Sequence, residues 1–119
     1  MNISECYKAM GGNYEEVLGR LRSERLIVKF LKKFPADPSF AALEVKLREE
    51  DGPEAFRAVH TLKGVCQNLG LQDLLRACEP LTEALRQGKT AGTGGMFEEV
   101  KTAYQRAIEA IRNLETEMD

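Results

Sequence analysis

Residues 53–70 read PEAFRAVHTLKGVCQNLG. Within them Ala55, Val59, Leu62, Cys66 and Leu69 recur at intervals of four and three, the spacing of a helix that buries one face. Asp51-Gly52 breaks the chain just before, Pro53 is expected to start a helix running to about Leu69, and Gly70 supplies the left-handed residue that ends it. At about 100° per residue the apolar seam centres roughly 140° away from His60. The only histidine of the chain therefore points away from the core of whatever this helix helps to build.

Working outward, the same three- and four-residue recurrence fills the chain, and no stretch alternates with strand period. Ile3, Cys6, Tyr7 and Met10 predict a short opening helix ended by Gly11-Gly12. Asn13 with Glu16 has the spacing of a capping box and opens a second short piece through Val17, Leu18 and Leu21. Ser23 can cap a third, with Ile27, Phe30, Leu31 and Phe34 as its apolar stripe and Pro35 as its stop. Asp37-Pro38 reads as an N-cap followed by proline at the first helical position, with Phe40, Leu43 and Leu47 inward. After Gly70 a helix from about Leu71 to Gln87 is expected, with a kink at Pro80, whose missing amide leaves the Arg76 carbonyl without its donor. Thr90–Gly95 reads as a flexible loop, and the last helix carries Phe97, Val100, Tyr104, Ile108, Ile111 and Leu114 on one stripe. Four long helices with short connections predict an all-α fold: an antiparallel four-helix bundle with short N-terminal capping helices, one domain over residues 1–119.

Composition narrows the function. The 119 residues are 43% hydrophobic and 30% charged, a globular balance with room for one core. A net charge of −2 gives no basic field for nucleic acid or an anionic membrane. No apolar run approaches the roughly 18 residues that span a bilayer, and MNISECYKAMGG lacks the pattern of a secretion signal. Cys6, Cys66 and Cys78 are odd in number and scattered, which suits small apolar core residues in a reducing compartment, and the cytoplasm is the expected location. One histidine and three scattered cysteines lack zinc-ligand spacing, so no metal site is expected. The glycines after Thr90 lack the following Lys-Ser/Thr of a phosphate-cradling loop.

The face around His60 is the chemically loaded one. Gly64 and Gln67 lie within about 40° of it, Lys63 about 60° to one side, and Phe56 one turn back on the same face. A neutral imidazole is a nucleophile at cellular pH. Lys63 can set an ammonium beside an anion carried on that imidazole. Glycine inside a helix costs about 1 kcal/mol relative to alanine, so Gly64 asks for a reason, and a cleared approach to the imidazole supplies one. No second residue completes a hydrolytic triad, so the set suits a group acceptor better than a hydrolase. Phe56 reads either as the edge of the buried seam or as an exposed apolar anchor for a partner, rimmed by Arg57, Lys63 and Gln67.

The run His60-Thr61-Leu62-Lys63-Gly64-Val65-Cys66-Gln67-Asn68-Leu69-Gly70 resembles the H-x-L-K-G-x(5)-G signature of histidine-containing phosphotransfer (HPt) domains. Ala58 before it, and Leu71, Leu74, Cys78 and Leu81 after it, fall at the spacing of that family. The resemblance implies a four-helix bundle whose histidine takes phosphate from a receiver aspartate and passes it to another receiver. It implies His60 as phosphoacceptor, Lys63 and Gly64 as its supporting residues, and Gln67 or Asn68 as hydrogen-bonding groups near the imidazole. It implies response-regulator receivers as partners, with a hybrid sensor kinase as a further candidate, and no cofactor of its own, Mg²⁺ being supplied on the receiver. No nucleotide-binding signature is present, so a phosphocarrier without kinase activity, monomeric, is expected. Leu81-Thr82 stands where the family often has Leu-Glu, and Pro80 beside it is unusual; both bear on packing of the following helix rather than on His60. The alternative is a helical module that docks receiver or kinase domains without being phosphorylated, and a third reading, a kinase dimerisation domain, would need an ATP-binding domain.

Overall fold

Capping chemistry sets most of the helix boundaries in the computed structural model, which describes residues 1–114. Asn2 and Glu5 form a reciprocal capping box that opens α1 (Ile3–Met10), and Gly11, at φ 65°, closes it. The Asn13 side chain accepts from the Glu16 amide to open α2 (Tyr14–Leu21), and Ser23 does the same for Leu26 in α3 (Glu24–Lys33). A 3₁₀ turn, Phe34–Ala36, leads into α4 (Ser39–Arg48). There follow α5 (Gly52–Leu69), α6 (Gln72–Arg86) and α7 (Gly94–Arg112).

The four longer helices α4 to α7 pack in chain order as an antiparallel bundle. The ring of Phe40 on α4 stacks on Tyr104 and Phe97 of α7, at 4.0 and 5.6 Å between centroids, which closes the bundle. The seam read from the sequence faces inward as expected: Ala55, Val59, Leu62 and Cys66 are fully buried, against Leu74, Cys78 and Leu81 of α6. All three cysteines are buried free thiols. Burial pushes Cys6 up to about 11, and a hydrogen bond with Cys78, added to burial, holds the Cys66 thiol far above its ordinary range. No helix among the described residues is long and apolar enough to cross a membrane.

Four expectations need correction. Phe30 is not in the buried stripe of α3 but 37% exposed, and Val28 is buried instead. Ile27, Val28, Leu31 and Phe34 centre on a direction about 90° from Phe30, so a short helix lying on the bundle surface cannot bury both. Leu18 is likewise exposed, since α2 buries only Val17. Pro38 is the N-cap of α4 rather than its first residue, and Asp37 accepts from the Ser39 amide at 2.9 Å, a local turn that delays the helix by one position. Gly94 and Gly95, expected in the loop, form the first turn of α7, where the Met96 and Phe97 side chains pack against the core. Apart from these four, α6 runs on through Pro80, which lies on the exposed side, where water can serve the Arg76 carbonyl, and the buried Thr82 hydroxyl donates to Cys78 O at 2.7 Å.

Candidate functional site

α5 is held firmly at both ends. Asp51 accepts from the Glu54 amide at 3.2 Å and Pro53 lies in the first turn. At the far end Gly70, at φ 67°, turns the chain. A side chain there would also collide with Val17 and the Asn13 carbonyl. The last carbonyls, which a helix leaves without intrahelical donors, are taken almost entirely by the N-terminal segment. Arg20 donates to Gln67 O and Asn68 O at 2.8 and 2.6 Å, the Tyr7 hydroxyl to Leu69 O at 2.6 Å, and the Asn13 amide to Gly70 O at 2.9 Å. Burial keeps the Tyr7 phenol well above its usual range, so it remains a donor.

His60 lies midway along this clamped helix and is exposed. Its ring stacks on that of Phe56 a turn back, 5.9 Å between centroids and 21° between planes, and among the described residues it makes no hydrogen bond. Gly64, one turn on, is open: a Cβ built there meets nothing within 4 Å. Packing between helices therefore does not require glycine at this position. Lys63 is half-buried and makes no ion pair among the described residues. An anion on the imidazole would find a cation not already neutralised by a carboxylate.

The other expected residues are distributed around this centre. Phe56 is half-buried and packs against the core, so it is an edge residue with one face available rather than a bare anchor. Arg57 is exposed and 3.6 Å from Glu54, an ion pair of little energetic weight. Gln67 is exposed on the His60 side, about 10 Å along the axis at 1.5 Å per residue. Asn68 lies two turns from His60 and lines a cleft of about 430 Å³ with Phe30, Val65 and Phe34, between α2, α3 and α5. Neither side chain hydrogen-bonds the imidazole in this structure. One neighbour escaped the sequence reading: Arg86 of α6 lies over Phe56, its guanidinium carbon 5.2 Å from the ring centroid. Nothing in helix periodicity pairs residues thirty positions apart on different helices, so no local signal could have found it.

On one side of His60, then, stands α6 with Arg86. On the other, Arg57, Ala58 and Thr61 border a shallow groove against Ala42 and Lys46 of α4 and its cap Pro38. These features define a structural class: a helical bundle that presents an exposed imidazole beside open space and a lysine that makes no ion pair among the described residues. The family comparison agrees with that class, matching the Hpt domain over residues 25–113. The chain belongs to the Hpt domain family, histidine phosphocarriers of two-component relays that interact with receiver domains. No curated protein and no solved structure gives a significant match. The matched region includes α3 to α7 and leaves out α1 and α2, the segment that supplies the donors at the end of α5.

Proposed function

We propose that His60 is the phosphoacceptor of a phosphorelay, taking the group from an aspartyl phosphate of one receiver and giving it to the aspartate of another. The imidazole nitrogen lone pair attacks phosphorus, a phosphorus–nitrogen bond forms, and the phosphorus–oxygen bond to the aspartate breaks with release of the carboxylate. Lys63 stabilises the phosphohistidine and Gly64 leaves room for the incoming acyl phosphate. The receiver brings Mg²⁺ and most of the in-line positioning, because charge neutralisation and alignment dominate such transfers. Gln67 and Asn68, each seven or more residues along the helix, serve the docked receiver rather than the free imidazole, and Arg57 borders the docking face. The protein works as a monomeric carrier in the cytoplasm, and its three free, buried thiols support that reducing compartment.

The observation that carries the reading is the combination at one point of α5: an exposed histidine without a hydrogen bond, open space at Gly64, and Lys63 without an acidic partner among the described residues. The test is incubation with a phosphorylated receiver. The expected product is an acid-labile, base-stable phosphate on the wild-type chain and none on His60→Gln, whose circular dichroism stays unchanged because the side chain has no core contact. Label on the His60→Gln chain, or none on the wild type from a panel of receivers, rejects the assignment and leaves a docking module.

A further inference from the structure

Phe56 sits between two functional groups that nothing in the chain's local pattern joins. The imidazole of His60 stacks against it, and the guanidinium of Arg86 comes to it from α6. Side chains on a helix lean back toward its N-terminus, so His60 leans toward the residue four positions earlier, which is Phe56. An exposed histidine otherwise has several staggered conformers open to it. A near-parallel ring at 5.9 Å removes some of them. Phe56 itself is fixed from below by the core and from α6 by a cation held to its ring. The other partner of Arg86 is Glu83 on its own helix, at 3.4 Å with both side chains more than half exposed, a contact too solvated to explain the placement.

We propose that Phe56 and Arg86 are positioning residues that hold the His60 imidazole ready for phosphoryl transfer, Phe56 as the platform it stacks on and Arg86 as the tie from that platform to α6. The inference rests on His60 being the phosphoacceptor. Restricting the nucleophile before the donor arrives moves an orientational cost out of the transfer step. It also gives Phe56 a role that does not depend on touching the partner, which separates it from a docking anchor.

A small donor makes that separation. With phosphoramidate the imidazole lone pair attacks phosphorus, the phosphorus–nitrogen bond of the donor breaks, and ammonia leaves, so no receiver has to dock. The expected result is that Phe56→Leu and Arg86→Gln each slow phosphorylation of His60 by about threefold to tenfold, while Arg86→Lys keeps most of the rate. The double variant should be no slower than the slower single one, because both act through one ring. In the unphosphorylated protein the ring-proton resonances of His60 should move in Phe56→Leu and, by less in the same direction, in Arg86→Gln. Wild-type rates for both single variants overturn the proposal. So do losses that multiply in the double variant, unmoved His60 resonances, or slowing seen with a phosphorylated receiver but not with phosphoramidate. A wild-type chain that takes no label at His60 from either donor overturns the phosphoacceptor reading instead, and the resonances then still report whether the stack exists.

Discussion

From Gln67 to the Gly70 cap, the carbonyls at the end of α5 each take a donor from outside the helix, supplied by Tyr7, Asn13 and Arg20, whereas His60 and Lys63 in its middle make no hydrogen bond or ion pair among the described residues. Two glycines mark the contrast. Gly70 has a positive φ and neighbours so close that any side chain collides, while Gly64 has a helical backbone and open space. The first is required by the fold and the second is not, so the fold gives no reason for the stability that Gly64 gives up. A site for group transfer needs this division: a helix immobilised at its end presents a middle that is left unsatisfied, and the partner completes it.

The largest expected effect of breaking the contrast is at the packed end. Gly70→Ala forces both a left-handed conformation and a clash with Val17 and Asn13, and should destabilise by about 3 kcal/mol. Denaturant unfolding measures it, and transfer by the fraction still folded should be normal. Tyr7→Phe comes next, at roughly 1–3 kcal/mol, because it leaves the Leu69 carbonyl buried without a donor. The same residue sets a pH limb. Burial raises the folded Tyr7 phenol above its unfolded value of 10.0, so the unfolded state loses its proton first, and stability falls as pH climbs past that value. In Tyr7→Phe that alkaline decline should be shallower, though Cys6 keeps part of it for the same reason.

At the open middle the signs reverse. Gly64→Gln should slow transfer from a receiver by about tenfold while leaving stability unchanged or raising it by up to ~1 kcal/mol. Stop-flow transfer rates beside a melting curve would show it, and a large fall in melting temperature would return Gly64 to the packing that its open surroundings deny. Smallest is Lys63→Ala, expected to weaken transfer a few-fold, with the difference shrinking as salt rises from low to moderate ionic strength. Equal rates at both salt concentrations would remove Lys63 from the site.

Much of this was legible in the linear chain because helices write their burial in a local period. Ala55, Val59, Leu62 and Cys66 announced the inner face of α5, Asp51 and Gly70 its ends, and the remaining angle placed His60, Lys63 and Gly64 on the outside together. Periodicity failed where an element is short and rests on a surface that the sequence does not describe. Phe30 and Leu18 fit an apolar stripe as well as Val28 or Val17 do, and only the orientation of α3 and α2 on the bundle chose between them. Tertiary structure alone decided three further things: that α1 and α2 supply the donors at the end of α5, that Arg86 reaches Phe56 from another helix, and that Val17 and Asn13 crowd Gly70. The physical reason is the range of the interactions. Helical phase and capping are fixed by residues within four positions of one another, but the donor that meets a helix's last carbonyl, or the cation that meets an exposed ring, comes from wherever packing of the whole core happens to bring it.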